Sequence, residues 1–279
     1  MEPCNSLLFG TAGIPHSAEP HDSASACRRL RELGLDAMEI EYVRGSFPSE
    51  DRCKKVREAA VRHGIRLTAH GPYYINLNAA DTEKLRASRE RIINTAYYGG
   101  LSGAQSITFH AGFFMKDEPE AVYTRIRDEL QDILQKVRDQ GIMIDIRPEL
   151  TGKPTQFGSL EDLLRLAGDI PDVSPCIDWS HFYARSGTGN SGAAFQKVLD
   201  TVRDALGDEA LHQMHMHLSG ISFGSKGEKK HLDLEESDMN YRDLLSVLKA
   251  NDVRGILICE SPSLEGDALF LKEFYKSLS

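Results

Sequence analysis

The 279-residue sequence predicts an α/β protein. The expected architecture is a single (β/α)8 TIM barrel over 1–279, with the active site at the C-terminal rim of the strands. Two observations predict it. Short apolar or alternating runs recur eight times, each followed by a charged amphipathic stretch. Such alternation implies an all-parallel sheet, because every helix carries the chain back across the sheet. No Gly-x-Gly-x-x-Gly directly follows any of the runs, which removes the main dinucleotide-binding form of the open doubly wound sheet.

The elements follow in order. Leu7–Gly10 leads to a helix near 23–34, Ala37–Tyr42 to one near 50–64, and Arg66–His70 to one near 81–102. Ser106–His110 precedes a helix near 118–140, and Ile142–Glu149 one near 159–168. Ser174–Asp178, Gln213–Leu218 and Gly255–Glu260 precede helices near 191–206, 238–251 and 264–278. The helical stretches carry apolar residues at i, i+3 and i+4, as in Leu130, Ile133, Leu134 and Val137. Gly34, Gly64 and Gly141 stand where left-handed C-caps belong.

Composition narrows the classes of function. Apolar residues are 41% and charged residues 27%, with a mean hydropathy of −0.37, the profile of an ordinary soluble globular protein. Apolar runs such as Ile256–Cys259 fall far short of the ~20 residues of a membrane span. The start, MEPCNSLLFG, lacks the basic region of a signal peptide. Cys4, Cys27, Cys53, Cys176 and Cys259 form no Cys-x-x-Cys, which suits a reducing compartment and argues against a cysteine zinc site. A net charge of −9 opposes nucleic acid globally, although cations and local basic clusters reverse the field at one face. A cytoplasmic monomer without a membrane partner is expected.

Six of the eight strand candidates end in, or close to, a metal-capable or acidic residue. These are His70, His110, Glu149, Asp178, the pair His215 and His217, and Glu260. Strand alternation sets His215 with His217, and Ile258 with Glu260, on single faces. Residues at that end of several barrel strands converge. With His181 and His231 in the following loops, the donors exceed the about four that one zinc ion takes. Two or three ions fit, and a two-ion site clamps both the attacking and the leaving oxygen of a phosphodiester.

Each residue alone also has a plainer reading. A strand-end His is often simply hydrogen-bonded, and Asp178 and Glu260 suit helix N-caps. Arg147 shares a face with Asp145 and Glu149, which suits an internal ion-pair network. His215 suits a supporting role behind His217. His16, His21, His63 and His212 read as solvated surface. The repetition at six strand ends is what favours a metal centre.

Seven segments carry a family resemblance: His70-Gly-Pro-Tyr-Tyr-Ile-Asn-Leu77, Phe109-His-Ala-Gly112, Glu149-Leu-Thr-Gly152, Cys176-Ile-Asp-Trp-Ser-His181, Met216-His-Leu-Ser219, His231 and Glu260-Ser-Pro262. In this order they resemble the endonuclease IV family of apurinic/apyrimidinic endonucleases, its archaeal-type branch most, within the xylose-isomerase-like barrel superfamily. The likeness runs from FGTAG at 9–13 to ESPSLEGDAL at 260–269. It implies a zinc site of two or three ions, with Mn²⁺ or another divalent ion as the alternative. His70, His110 and Glu149 would hold the first ion. Glu149 would bridge to the second, held also by Asp178, His217 and Glu260. His181 and His231 would hold the third. The implied reaction cuts damaged double-stranded DNA 5′ to an abasic site, with Glu149 as the catalytic carboxylate. Tyr73, with Tyr74 beside it, matches the aromatic wedge that enters the minor groove and helps expel the sugar; a packed loop is the plainer alternative. Lys226, Lys229 and Lys230 suit a phosphate-facing rim, joined by Arg28, Arg29, Arg44 and Arg185, although Arg28 and Arg29 also read as a solvated helix face.

Two departures matter. The family has Asp two residues before the last His, where this chain has Lys229 in Gly227-Glu-Lys-Lys-His231. Glu228 replaces it if the backbone shifts; otherwise the third site is weaker, or Lys229 supplies positive charge in its place. The Asp after the strand-seven His-Leu pair is replaced by Ser219-Gly220. A one-metal sugar isomerase or epimerase of the same superfamily needs only Glu149, Asp178, His217 and Glu260. A binder of abasic DNA that no longer cuts is the third reading.

Overall fold

The computed structural model describes residues 4–42 and 45–278. Eight parallel strands form the barrel: β1 (Leu7–Ala12), β2 (Ala37–Glu41), β3 (Arg66–His70), β4 (Ala104–Phe109), β5 (Asp145–Pro148), β6 (Cys176–Asp178), β7 (Met214–Leu218) and β8 (Gly255–Cys259). Their order is β5-β4-β3-β2-β1-β8-β7-β6. Parallel bridges Ile146–Val173 and Glu149–Cys176 join β5 to β6 and bring the ring nearly to closure. Each strand thus lies beside its sequence neighbours, as right-handed βα repeats require.

The flanking helices are α1 (Ser23–Leu33), α2 (Glu50–His63), α3 (Thr82–Ser102), α4 (Pro119–Asp139), α5 (Leu160–Asp169), α6 (Trp179–Ser186), α7 (Gly192–Leu206), α8 (Tyr241–Ala250) and α9 (Glu265–Ser277). Leu130, Ile133, Leu134 and Val137 of α4 are all buried, as their spacing predicts. Gly34, Gly64 and Gly141 have φ of 81°, 63° and 72°, the left-handed region in which a Cβ is strained. Gly10 has a different reason. A Cβ there would lie 2.3 Å from the Ala37 carbonyl oxygen, so only glycine lets β1 meet β2 at this point.

Three features depart from the sequence expectation. Helix α6 begins directly after β6, at Trp179. A hairpin, Gly220–Gly224 paired antiparallel with Gly227–Leu232, follows β7. Strand β5 starts at Asp145 rather than at 142, since the chain leaves α4 through Gly141 and exposes Met143 before it joins the sheet. His181 and His231, expected in loops, therefore sit on α6 and on the hairpin. Gly187-Thr-Gly189-Asn-Ser-Gly192 has glycine-fingerprint spacing, but it joins α6 to α7 and follows no strand. No described helix is long and apolar enough to cross a membrane.

Candidate active site

Glu149 is the centre of the rim. It lies just past β5, and its backbone N–H donates to the Phe109 carbonyl at 3.0 Å, which fixes the carboxylate over the barrel mouth. Its side chain is 1% exposed. Oε2 lies 3.1 Å from His70 Nε2 and 3.2 Å from His110 Nε2. Oε1 lies 3.1 Å from His181 Nδ1 and 3.5 Å from His217 Nδ1. Each oxygen of one carboxylate thus faces two imidazoles, drawn from both halves of the barrel.

Asp178 has two tasks. As the N-cap of α6, its Oδ1 accepts from the His181 backbone N–H at 2.7 Å. Its Oδ2 stands 3.1 Å from His181 Nδ1. The cap reading holds for this residue, and the same turn brings its second oxygen beside His181 among the donor atoms of the rim. Glu260 follows β8, with Oε1 3.4 Å from His217 Nδ1 and Oε2 3.8 Å from His231 Nδ1. The Nε2 atoms of His181 and His231 are 3.2 Å apart.

Among the described residues, His110, Glu149 and His181 form one donor group at the rim, Asp178, His181 and His231 a second, and Glu149, Asp178, His217 and Glu260 a third; a fourth, Cys176, His215 and His217, is fully buried and includes a cysteine, which the sequence did not lead one to expect. Within each group the donor atoms lie within 4.8 Å of one another. His217 Nδ1, Asp178 Oδ2 and Glu260 Oε2 are buried without a hydrogen-bond partner. Orphaned buried polar atoms are costly, and these point into shared gaps. The oxygen and imidazole donors fit a first-row divalent ion such as zinc.

Electrostatics separate the carboxyls. Burial alone would raise Glu149, but the charges and hydrogen bonds of His110, His181 and His217 hold it well below the carboxylate range. Burial, with the charges of Asp178 and Glu149, pushes Glu260 well above that range, against His217 and His70. For His70, burial is outweighed by Glu149 and the nearby Glu41 and Glu39, and its pKa rises to about 10. His181 also rises to about 10, where Asp178, Glu149 and Glu228 overcome burial.

The hairpin carries a backbone shift at Lys229. Ser222 pairs with Lys230, yet Phe223 pairs with Glu228, so Lys229 is the extra residue of a β-bulge. Without it, alternation would turn Lys229, not Glu228, to the side of His231. With it, Glu228 Oε2 comes within 3.5 Å of His181 Nε2. Lys229 lies instead over Gly224, exposed, where a Cβ would meet its Cε at 3.0 Å. The Glu228 N–H donates to the Gly152 carbonyl at 3.0 Å, and a Cβ on Gly152 would meet that of Glu228 at 2.7 Å. Gly152 therefore lets the hairpin seat against the barrel.

Two acids escape the sequence reading. Glu39 is fully buried below the rim, with Oε2 2.9 Å from His215 Nε2 and Oε1 3.0 Å from His217 Nε2. Its pKa is held well below the ordinary range, where the two imidazoles outweigh burial. Glu41, two residues on, lines the cavity beside Ala12, His70 and Tyr73. Burial and the Glu39 and Glu149 charges push its pKa to about 7, against His70 and His217. The signal was legible in Met38-Glu39-Ile40-Glu41: acids at period two in a strand that otherwise reads as core.

His215 lies beneath the rim, contacting Glu39 and the Ser106 hydroxyl at 3.1 Å; it stands outside the three rim groups, in the buried donor group with Cys176 and His217. Tyr73 is 62% exposed at the cavity edge, its ring centroid 6.0 Å from that of His70. Tyr74 is 74% exposed, and neither packs into the core. Lys226 and Lys230 are exposed on the hairpin. Arg185 does not face a phosphate rim: it is mostly buried and donates to the carbonyls of Thr151, Lys153 and Gln156. Arg147 pairs with Asp145 at 3.3 Å below the rim and not with Glu149. Arg28 and Arg29 are engaged on α1 with Glu32. Arg44 lies outside the described residues.

Fold and donor groups together define a (β/α)8 barrel with a metal-capable centre at its rim. The chain matches the family described as xylose isomerase-like TIM barrel over residues 27–277, and it belongs to that family. An uncharacterized protein of Methanocaldococcus jannaschii is 46% identical over 273 residues, 98% of each chain. A probable endonuclease 4 of Campylobacter fetus is 25% identical over 165 residues, and the match spans only 57% of either chain. Among solved structures, endonuclease IV from Thermus thermophilus aligns with a TM-score of 0.74 at 20% identity, over 96% of this chain and 98% of that one. A D-psicose 3-epimerase from Clostridium cellulolyticum aligns at 0.68 and 12% identity, over 96% and 99%. Both structures share the fold.

Proposed function

We propose that this protein is a metal-dependent endodeoxyribonuclease that cuts the phosphodiester 5′ to abasic sites in duplex DNA. One observation carries the reading: Glu149 joins donor groups on both sides of it, with His70 and His110 on one oxygen and His181 and His217 on the other. A sugar isomerase or epimerase needs one ion, and the group Glu149, Asp178, His217 and Glu260 would suffice for it. His70, His110, His181, His231 and Glu228 would then have no task in common. Distant likeness to endonuclease 4 proteins supports the same choice.

His70, His110 and Glu149 would hold one ion, Glu149, Asp178, His217 and Glu260 a second, and His181, His231 and Glu228 a third. Bound there, zinc or a similar ion would polarise the phosphodiester and neutralise the charge that develops during cleavage. Glu149 is the catalytic carboxylate and orients the attacking water. Tyr73 and Tyr74 face the duplex from the loop after β3, and Lys226, Lys229 and Lys230 line the hairpin side of the DNA path.

The test is nicking of an end-labelled duplex with one abasic residue by zinc-loaded protein. The reading requires a cut 5′ to the lesion, no cut in undamaged duplex, and a loss of at least about a hundredfold in Glu149→Gln. Tight lesion binding without cutting would make the protein a binder. Neither cutting nor binding, with one ion per chain, would move the assignment to a sugar substrate.

A further inference from the structure

The mouth of the barrel opens into a cavity of about 520 Å³ with unlike walls. His181, Glu228 and His231 form one wall. Ala12, Glu41 and Tyr73 line the other. In the ring of strands β2, which ends at Glu41, stands four strands from β6, which ends at Asp178, so the two walls face each other across the barrel. Glu41 belongs to none of the metal-capable donor groups. Its Oε1 is nonetheless buried without a hydrogen-bond partner. Glu41 itself lines the cavity, so a turn of its carboxyl group would present this unpartnered oxygen to a donor that arrives with the ligand.

We infer that Glu41 is a specificity-determining residue that accepts a hydrogen bond from a sugar hydroxyl of the substrate. A phosphate oxygen is the poorer partner, since it brings no proton to an unpartnered acceptor and repels Glu41 whenever that carboxyl is ionised. A neutral hydroxyl is the right one. In an abasic nucleotide the sugar carbon that has lost its base carries such a hydroxyl, and an intact nucleotide has none at that carbon. Glu41 then recognises the lesion itself, while the opposite wall handles the phosphodiester. This inference rests on the proposed nuclease reading.

The test compares a natural abasic duplex with its tetrahydrofuran analogue, which lacks only that hydroxyl. Wild type, Glu41→Ala and Glu41→Gln are assayed for kcat/KM on both, and bound metal per chain is measured for all three. Wild type is expected to favour the natural site by about tenfold, the scale of a charge-assisted hydrogen bond. Glu41→Ala brings the ratio to about one, and Glu41→Gln, a neutral acceptor, leaves it between. The metal count stays the same in all three. A wild-type ratio of about one, an equal loss on both substrates, or an ion lost with Glu41 overturns the inference and leaves the nuclease reading standing. If wild type cuts neither duplex, the nuclease reading fails and this inference falls with it.

Discussion

A single carboxylate beneath the rim decides how His217 is presented. Glu39 contacts the Nε2 side of His217, which leaves Nδ1 facing Glu149 and Glu260. Supporting partners of this kind fix ring orientation and raise ligand basicity. Glu39→Gln is therefore expected to weaken metal retention by about 10–100-fold, read by competition with a chromogenic chelator, with Glu39→Ala weaker still. Proton competition gives a second expectation. In the metal-free protein His70 and His181 hold protons up to about pH 10, against an ordinary value of 6.5. Their ion pairs stabilise that form fully below pH 6.5 and fade as pH rises through 10. Metal needs the neutral imidazoles, so apparent affinity rises with pH across that window. Calorimetry in buffers of different ionisation enthalpy should show more than one proton released per chain at about pH 7.5. The rim residues are legible because most of them end strands; Glu39 escapes the reading despite its period-two spacing with Glu41, because an acid inside a strand is ordinarily assigned to a solvated face.

At the scale of elements, the hairpin is the informative piece. Periodicity foresaw each strand–helix repeat, since eight similar units report one pattern many times. It missed the hairpin, whose Lys-rich second strand, Gly227–Leu232, carries no apolar alternation. It also missed α6, which at eight residues is too short to show a helical period. The bulge at Lys229 was beyond sequence because only pairing reveals it. Glu228→Ala should lower bound metal by about one ion per chain, measured by mass spectrometry after gel filtration, whereas Lys229→Ala should leave the count unchanged. Gly227→Ala should mimic Glu228→Ala without touching a ligand. Gly227 has φ of 88°, and a Cβ there would meet the Gly152 carbonyl oxygen at 2.3 Å, lifting the hairpin from its seat.

The whole molecule sets acids against its own proposed substrate. Glu39, Glu41, Glu149, Asp178, Glu228 and Glu260 gather in and just below one cavity, in a chain whose net charge is already −9. The fold tolerates this because each strand brings its acid to the rim independently, and imidazoles from other strands neutralise part of it. A polyanion approaching the stripped mouth meets the unneutralised part of that charge, and bound divalent ions would turn the balance there toward positive. Metal occupancy would then act as an entry permit as well as a catalyst. Fluorescence anisotropy should find that chelated protein binds an abasic duplex at least about tenfold more weakly than loaded protein, before any bond is cut. On the proposed nuclease reading, a cell short of the ion would hold a protein that stays off DNA, silent without being clamped, uncutting, over lesions that other proteins must reach.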